Sequence, residues 1–223
     1  MAGAGGTAAR FARRTAIALV LPLLLARDAA ALGPHEIAVL VNDASPRSLE
    51  VANHYVHLRR VPDQNIVHLE LPARVREPEA RLTREEFTRL IWEPAQRVLR
   101  ERQLQDHILA WVYSVDFPIV IAGDQEVSLM GLTLVRDQLP PDEVIRGGRY
   151  LSPLFAGPGE TSDRKGAPRS LEQYAAFLQT NMPLPSMMLS HAGTRGLAVP
   201  DIVERLRLLA LSDATPPRGD VAF

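Results

Sequence analysis

The sequence predicts an α/β protein with an open, mostly parallel sheet and helices on both faces. Three short apolar runs support this prediction, and each stops at polar turn residues: 37–42, 107–115 and 186–190. Short, largely apolar runs are typical of strands that are buried on both faces of a parallel sheet. The first and third runs lead into helical segments, which is the order of elements in a βαβ unit.

The run at 37–42 is predicted to be a central strand, and a helix is predicted to follow it. Ser45 is a suitable N-cap, because its hydroxyl can accept from the free amides of a first helical turn. Pro46 then stands at the first helical position, where its missing N–H costs no hydrogen bond. Pro62 ends the helix.

The next segments continue the alternation of strands and helices. Residues 66–71 alternate between apolar and polar side chains, which predicts a half-exposed strand near the sheet edge. Thr83 and the glutamate three residues later form a capping box, and we expect Pro94 to kink or restart the helix that follows. The run at 107–115 is a second central strand, and residues 119–122 either extend it or form a separate short strand.

The pattern weakens between residues 123 and 185, where glycine and proline interrupt every periodicity. So long a connection in a compact domain is typical of a lid, a binding loop or a disordered segment, and we expect residues 157–168 to be mobile. An amphipathic helix is predicted at 200–211. A further strand begins at Gly219 and the sequence ends within it, so we expect the domain to be truncated at its C-terminus.

Residues 1–31 have the pattern of a secretory signal peptide. Three arginines precede an apolar run of ten residues, which is short for a membrane span, and cleavage is expected near Ala31. We therefore expect a periplasmic or extracellular protein whose single mature domain, 32–223, has no transmembrane segment. Removing the leader takes away four arginines and Asp28, which changes the net charge from −1 to −4. The sequence leaves open whether the Sec or the twin-arginine route is used.

Composition excludes several classes of function. The chain has no cysteine, which excludes disulfides, a thiol nucleophile and cysteine-ligated zinc. It has no compact basic patch, so nucleic acid is not an expected partner. Its six histidines are scattered without a metal-ligand motif, and no glycine-rich nucleotide motif is present. We therefore expect neither a metal nor a cofactor.

Several motifs resemble those of an uncharacterised family of exported bacterial proteins. Its members have Leu-Val-Asn-x-x-Ser-x-x-Ser near the mature start, a helix with Ala-x-x-Tyr, and an Arg-x-Ile-Pro-x-x-Asn segment before the next strand. The resemblance implies export and a chain longer than this one, and it carries no assigned chemistry. The matching segments are Leu40–Ser48, Ala52–Tyr55, Arg60–Asn65, Trp111–Pro118, Ser128–Leu132, Tyr150–Gly157 and Met188–Phe223.

Polar residues follow three of the predicted strands. A parallel sheet brings such strand ends to one edge, which is where ligands bind in open α/β sheets. A histidine with an aspartate there could act as a general base and the group that orients it. The residues are Asn42, Asp43 and Ser45 after the first strand, Ser114 and Asp116 after the second central strand, and Ser190 and His191 after the third apolar run.

Each of these residues also has a purely structural interpretation. Asp43 and Asp116 can cap turns, and His191 can be an ordinary loop histidine. The segment that begins at His191 is similar to one in caspase-like and gingipain-like peptidases, but those enzymes use a cysteine that this sequence lacks. Thr194 and Arg195, in a glycine-flanked turn before a helix, could hold an anion, but the pattern favours a plain glycine-rich turn between a strand and a helix.

Two functions follow from this sequence. The first is a ligand- or surface-binding domain with its site at the carboxyl edge of the sheet and a small molecule or a cell-envelope component as partner. The second is a hydrolase-like enzyme that uses His191 with Asp116, Asp43 or both. No Gly-x-Ser-x-Gly nucleophile motif is present, which favours the binding domain.

Overall fold

The computed structural model describes residues 32–77, 79–123, 126–136, 139, 141, 143, 146–147, 184–190 and 196–213. The predicted leader, the predicted mobile segment at 157–168 and the strand predicted from Gly219 lie outside these ranges. The strands are β1 (Ile37–Asn42), β2 (Ile66–Leu69), β3 (Arg81–Thr83), β4 (Ala110–Tyr113), β5 (Val120–Ala122), β6 (Val127–Ser128) and β7 (Ser186–Met188). The helices are α1 (Pro46–Arg59), α2 (Arg84–Phe87), α3 (Glu93–Glu101), α4 (Leu129–Val135) and α5 (Val199–Asp213).

The main sheet confirms the predicted α/β class. Its order is β2-β1-β4-β7, and every neighbouring pair is parallel. In the register, Val39 pairs with Ile66 on one side and with Val112 on the other. β2 lies at an edge, as its alternating pattern predicted. Residues 120–122 form the separate strand β5, which belongs to a second sheet of order β3-β5-β6.

Helices cover both faces of the main sheet, because alternate residues of β1 point to opposite sides. Ala38 and Leu40 face one apolar cluster, whereas Val39 and Val41 face the other. The first cluster is completed by residues of α2, α3 and α4, including Phe87, Ala95, Leu99, Leu129 and Leu132. The second is completed by residues of α1 and α5, including Val51, Ala52, Tyr55, Ile202 and Leu206. In the part of the chain that the structure describes, no helix is both long and apolar enough to cross a membrane.

A π-helical turn, Thr88–Trp92, joins α2 to α3 just before Pro94. The N–H of Glu93 donates to the carbonyl of Thr88, five residues earlier. Proline has no N–H to donate and its ring crowds the carbonyl four residues back, so the wider turn makes room for the ring. The predicted disturbance at Pro94 is therefore a local widening within a continuous helical segment.

Five aromatic rings form a row through the first apolar cluster. Successive ring centroids lie 4.9 to 6.3 Å apart. Burial raises the pKa of the Tyr113 phenol, whose hydroxyl lies 2.7 Å from the Thr133 hydroxyl. The row runs from the end of α2 to the loop after β4, in the order Phe87, Trp92, Trp111, Tyr113 and Phe117.

The segment between α1 and β2 holds the start of β1. Arg60 ends α1 in the left-handed region, with φ of 56°. A 3₁₀ turn, Asp63–Asn65, follows, and its buried Asn65 amide donates to the carbonyls of His35 and Ile37, each at 2.9 Å. These bonds satisfy the carbonyls at the start of β1 and just before it.

Candidate functional site

The loops after β1 and β4 meet at the point where the chain order of the sheet reverses. β2 lies on one side of β1 and β4 on the other. The chain after β1 therefore continues toward β2, and the chain after β4 continues toward β7 on the opposite side of the sheet. In open α/β sheets such a reversal opens a crevice at the carboxyl ends, where ligands bind. Most of the predicted site residues are found here.

Asn42 joins the loops that follow three neighbouring strands. Its amide nitrogen donates to the Asp116 carbonyl at 3.0 Å. Its side-chain oxygen accepts from the backbone N–H of Ala44 at 3.2 Å and of Leu71 at 3.4 Å. The residue is fully buried, so it holds the loops together and is not exposed to a ligand.

Ser45 connects the start of α1 to Asp116. Its oxygen accepts from the Ser48 N–H at 3.2 Å, which is the predicted N-cap bond. Its hydroxyl also hydrogen-bonds to Oδ2 of Asp116. The backbone of Asp116 has a φ of 61°, a left-handed conformation in which aspartate is enriched.

The negative charge of the buried Asp116 carboxylate is stabilised by the groups around it. Its side chain is only 4% exposed, and Oδ1 lies 3.7 Å from Nη2 of Arg47 but accepts no hydrogen bond from the residues that the structure describes. Through Ser45, the carboxylate is also held beside the N-terminal end of α1, where the helix dipole favours a negative charge. Asp116 is therefore a buried anchor for the loop after β4.

Two further serines complete this arrangement. The Ser114 hydroxyl donates to the Ser48 carbonyl at 2.7 Å, and Oγ of Ser48 accepts from the N–H of Asn42 at 3.0 Å. Both serines are fully buried. We name the five interlocked residues the switch-point frame; they are Asn42, Ser45, Ser48, Ser114 and Asp116. None of its three serines reaches solvent as a nucleophile would need to.

Three charged or titratable side chains surround the frame and reach solvent. They are Asp43, 42% exposed, Arg47, 45% exposed, and His68, 51% exposed. Nδ1 of His68 lies 2.6 Å from Oδ1 of Asp43. This arrangement leaves the other ring nitrogen of His68 available to a ligand or a proton.

Sequence reasoning missed His68 and Arg47. We interpreted His68 as one of six scattered histidines, although it stands on the polar side of an alternating strand. In the parallel register, His68 pairs with Val41. Asp43 follows two residues after Val41. His68 and Asp43 stand at the carboxyl ends of neighbouring strands. This shared position could have identified the pair, but it becomes visible only once β1 and β2 are paired.

The third predicted part of the site is described only in part. Ser190 is half-buried and follows β7, whose neighbour in the sheet is β4. The N–H of Leu189 donates to the Tyr113 carbonyl at 2.9 Å, so Ser190 comes after the strand that lies beside β4. His191, Thr194 and Arg195 lie outside the described residues.

Within the described ranges, no group of three or more histidine, cysteine, aspartate or glutamate side chains could hold a metal ion. Comparison with known proteins adds no relative. No protein-family model, curated protein or solved structure matches the chain. Its function is therefore inferred from its own residues.

Proposed function

We propose that this chain is an exported ligand-binding domain whose site lies at the carboxyl edge of the sheet, over the switch-point frame. The ligand contacts the exposed side chains of Asp43, Arg47 and His68. The observation that carries the proposal is a contrast between the buried polar residues and the exposed charged residues at this edge. The polar residues that follow β1 and β4 are bonded to one another and buried, while charged groups surround them at the surface.

Rigidity of the frame supports binding. Its bonds tie the loops after β1, β2 and β4 and the first turn of α1 into one unit. Side chains held on such a support lose little freedom when a ligand arrives, which favours affinity. Arg47 is further oriented by the Asp116 carboxylate, so the donors of its planar guanidinium that face away from Asp116 are presented in a fixed direction.

The test is an amide chemical-shift titration of the full chain with three small probes: D-glucose, succinate and benzylammonium. We expect at least one probe to perturb the backbone amides of the segment 43–47, in which Asp43, Ala44, Ser45 and Arg47 carry an N–H. The double variant Asp43→Asn/Arg47→Gln should weaken that binding about tenfold, because each change removes a charge-assisted hydrogen bond.

A matched double variant controls for the change in charge. Asp106→Asn/Arg100→Gln removes the same two charges from exposed positions before β4, at the amino end of that strand, and should leave the affinity unchanged. The proposal is wrong if all three probes leave residues 43–47 unperturbed, or if the two double variants weaken binding equally.

The second candidate function is hydrolysis, and the contact between His68 and Asp43 favours it. A carboxylate that accepts from one ring nitrogen of a histidine orients the other nitrogen as a general base. His191, which we expect at the same edge from the sequence, is the alternative base. If His68 is the base, Asp43 orients it, and Asp116 keeps its buried, supporting role.

Hydrolysis of p-nitrophenyl acetate distinguishes the two functions. For a hydrolase, His68→Ala or His191→Ala should lower the rate at least about 100-fold, which is the usual contribution of a general base. For a binding domain, both variants should match His57→Ala, which removes an exposed helix histidine and corrects for unspecific catalysis by imidazole. Loss of turnover in either variant alone would replace the binding proposal by the hydrolase.

A further inference from the structure

A cavity of about 190 Å³ lies between the segment before β3 and the segment that leads into β5. Val75, Phe117 and Ile119 contribute apolar walls, and Glu77 and Glu79 line it as well. Ile119 is more than one-third exposed, although most large apolar side chains of the sheet are buried. Val75 and Phe117 are each only 2% exposed, so the apolar surface that the cavity offers to a ligand comes mainly from Ile119.

The cavity borders the switch-point frame. Phe117 directly follows Asp116, the buried anchor of the frame. On the other wall, Val75 and Glu77 flank Arg76, whose guanidinium donates to the Ala44 carbonyl at 3.0 Å. A ligand in the cavity thus lies beside the loops after β1 and β4, where the proposed binding site is.

The charge at this cavity is negative. Glu77 and Glu79 are exposed, and neither makes an ion pair with any residue that the structure describes. Of the three neighbouring arginines, Arg74 and Arg81 form ion pairs with other glutamates, whereas Arg76 bonds to a neutral carbonyl and keeps its positive charge. The two glutamates thus exceed the uncompensated arginine charge by one. Arg74 pairs with Glu86, Arg81 pairs with Glu126, and Arg76 donates to the Ala44 carbonyl.

We propose that this cavity binds a primary ammonium group carried on a small apolar body, such as an arylalkyl or alkyl amine. The apolar body packs against the exposed side chain of Ile119, over the buried Val75 and Phe117, and the ammonium donates to Glu77 and Glu79. The proposal rests on the proposed binding function and names its ligand class. The cavity volume suits this class, since an apolar cavity of about 150 Å³ accommodates benzene.

Benzylammonium, benzyl alcohol and benzoate test the proposal, because they share one ring and differ in charge. We expect benzylammonium to perturb the backbone amides of Ala80, Arg81 and Val120 in a titration of the full chain. Benzyl alcohol should bind there about tenfold more weakly, since it cannot form charge-assisted hydrogen bonds with the glutamates. Benzoate should bind more weakly still, because like charges repel.

The double variant Glu77→Gln/Glu79→Gln should remove this preference. Its affinity for benzylammonium should fall about tenfold, to that for benzyl alcohol, while its affinity for benzyl alcohol stays unchanged. The control, Glu50→Gln/Glu101→Gln, changes two exposed glutamates on α1 and α3 and should leave both affinities as they are. Because all four positions are exposed, the variants should fold like the parent chain.

The outcomes separate this inference from the proposed function. If benzoate or benzyl alcohol binds at the cavity as tightly as benzylammonium, the ligand class is wrong and the binding site stands. If glucose or succinate perturbs residues 43–47 while no benzyl compound perturbs the cavity, the cavity is wrong and the proposed function stands. If no probe perturbs either region, both are overturned.

Discussion

Replacement of Asn42 by alanine should lower the free energy of unfolding by about 2–4 kcal/mol, since each buried polar group left without a partner costs about 1–3 kcal/mol. Three groups lose their partner: the Asp116 carbonyl and the N–H groups of Ala44 and Leu71. Urea unfolding of the variant and the parent chain measures the difference. The same change should release the loop after β4 and weaken ligand binding at the edge.

Two further variants define what Asn42 contributes. Asn53→Ala makes the same substitution at an exposed position of α1 and should change stability by no more than about 0.5 kcal/mol. Asn42→Asp keeps an acceptor for the two N–H groups and places oxygen against oxygen at the Asp116 carbonyl, so it should also destabilise. Equal stability of Asn42→Ala and Asn53→Ala would contradict the frame.

Trp111→Ala should lower the free energy of unfolding by about 3–5 kcal/mol, the usual cost of removing a large buried aromatic side chain. Trp111 is 1% exposed, on a strand buried between two helical layers. Its ring centroid lies 4.9 Å from that of Trp92 and 6.3 Å from that of Tyr113. Its removal interrupts the aromatic row and leaves a void that the neighbouring rings fill only in part.

Thermal or urea unfolding, followed by far-UV circular dichroism, measures this loss without depending on tryptophan emission. Met187→Ala is the control, because Met187 stands on the neighbouring strand β7 and is 47% exposed. It should cost far less than Trp111→Ala, since its side chain is smaller and nearly half of its surface already faces solvent. A loss below about 1 kcal/mol for Trp111→Ala would show that the first apolar cluster is not the main core.

The sequence predicted the main elements of the fold from local chemistry. Ser45 and Pro46 mark the start of α1, and Thr83 forms the predicted reciprocal bonds with Glu86 at the start of α2. The second central strand was predicted to be longer than it is. The strand β4 runs only from Ala110 to Tyr113. The N–H of Ser114 still donates to the Leu40 carbonyl of β1, while its hydroxyl joins the frame.

The sequence predicted which polar residues meet at the carboxyl edge of the sheet, and only in part how they are bonded. Ends of parallel strands meet at one edge, so the approach of Asn42 to Asp116 followed from the strand assignment. The burial of Ser45 and Ser114 could not be predicted from the sequence. A serine in a sequence does not show whether its hydroxyl bonds to a backbone carbonyl or faces water. The contact of His68 with Asp43 depends on strand register, which a single sequence does not state.

The switch-point frame also has a consequence for the order in which the chain folds. The bonds from Asp116 to Asn42 and to Ser45 join residues 74 and 71 positions apart. Closing so long a segment costs chain entropy before any contact compensates for it. The frame therefore forms only once β1 and β4 have paired, whereas the turn of α1 and its cap can form locally. A nascent chain therefore acquires the frame after most of its secondary structure.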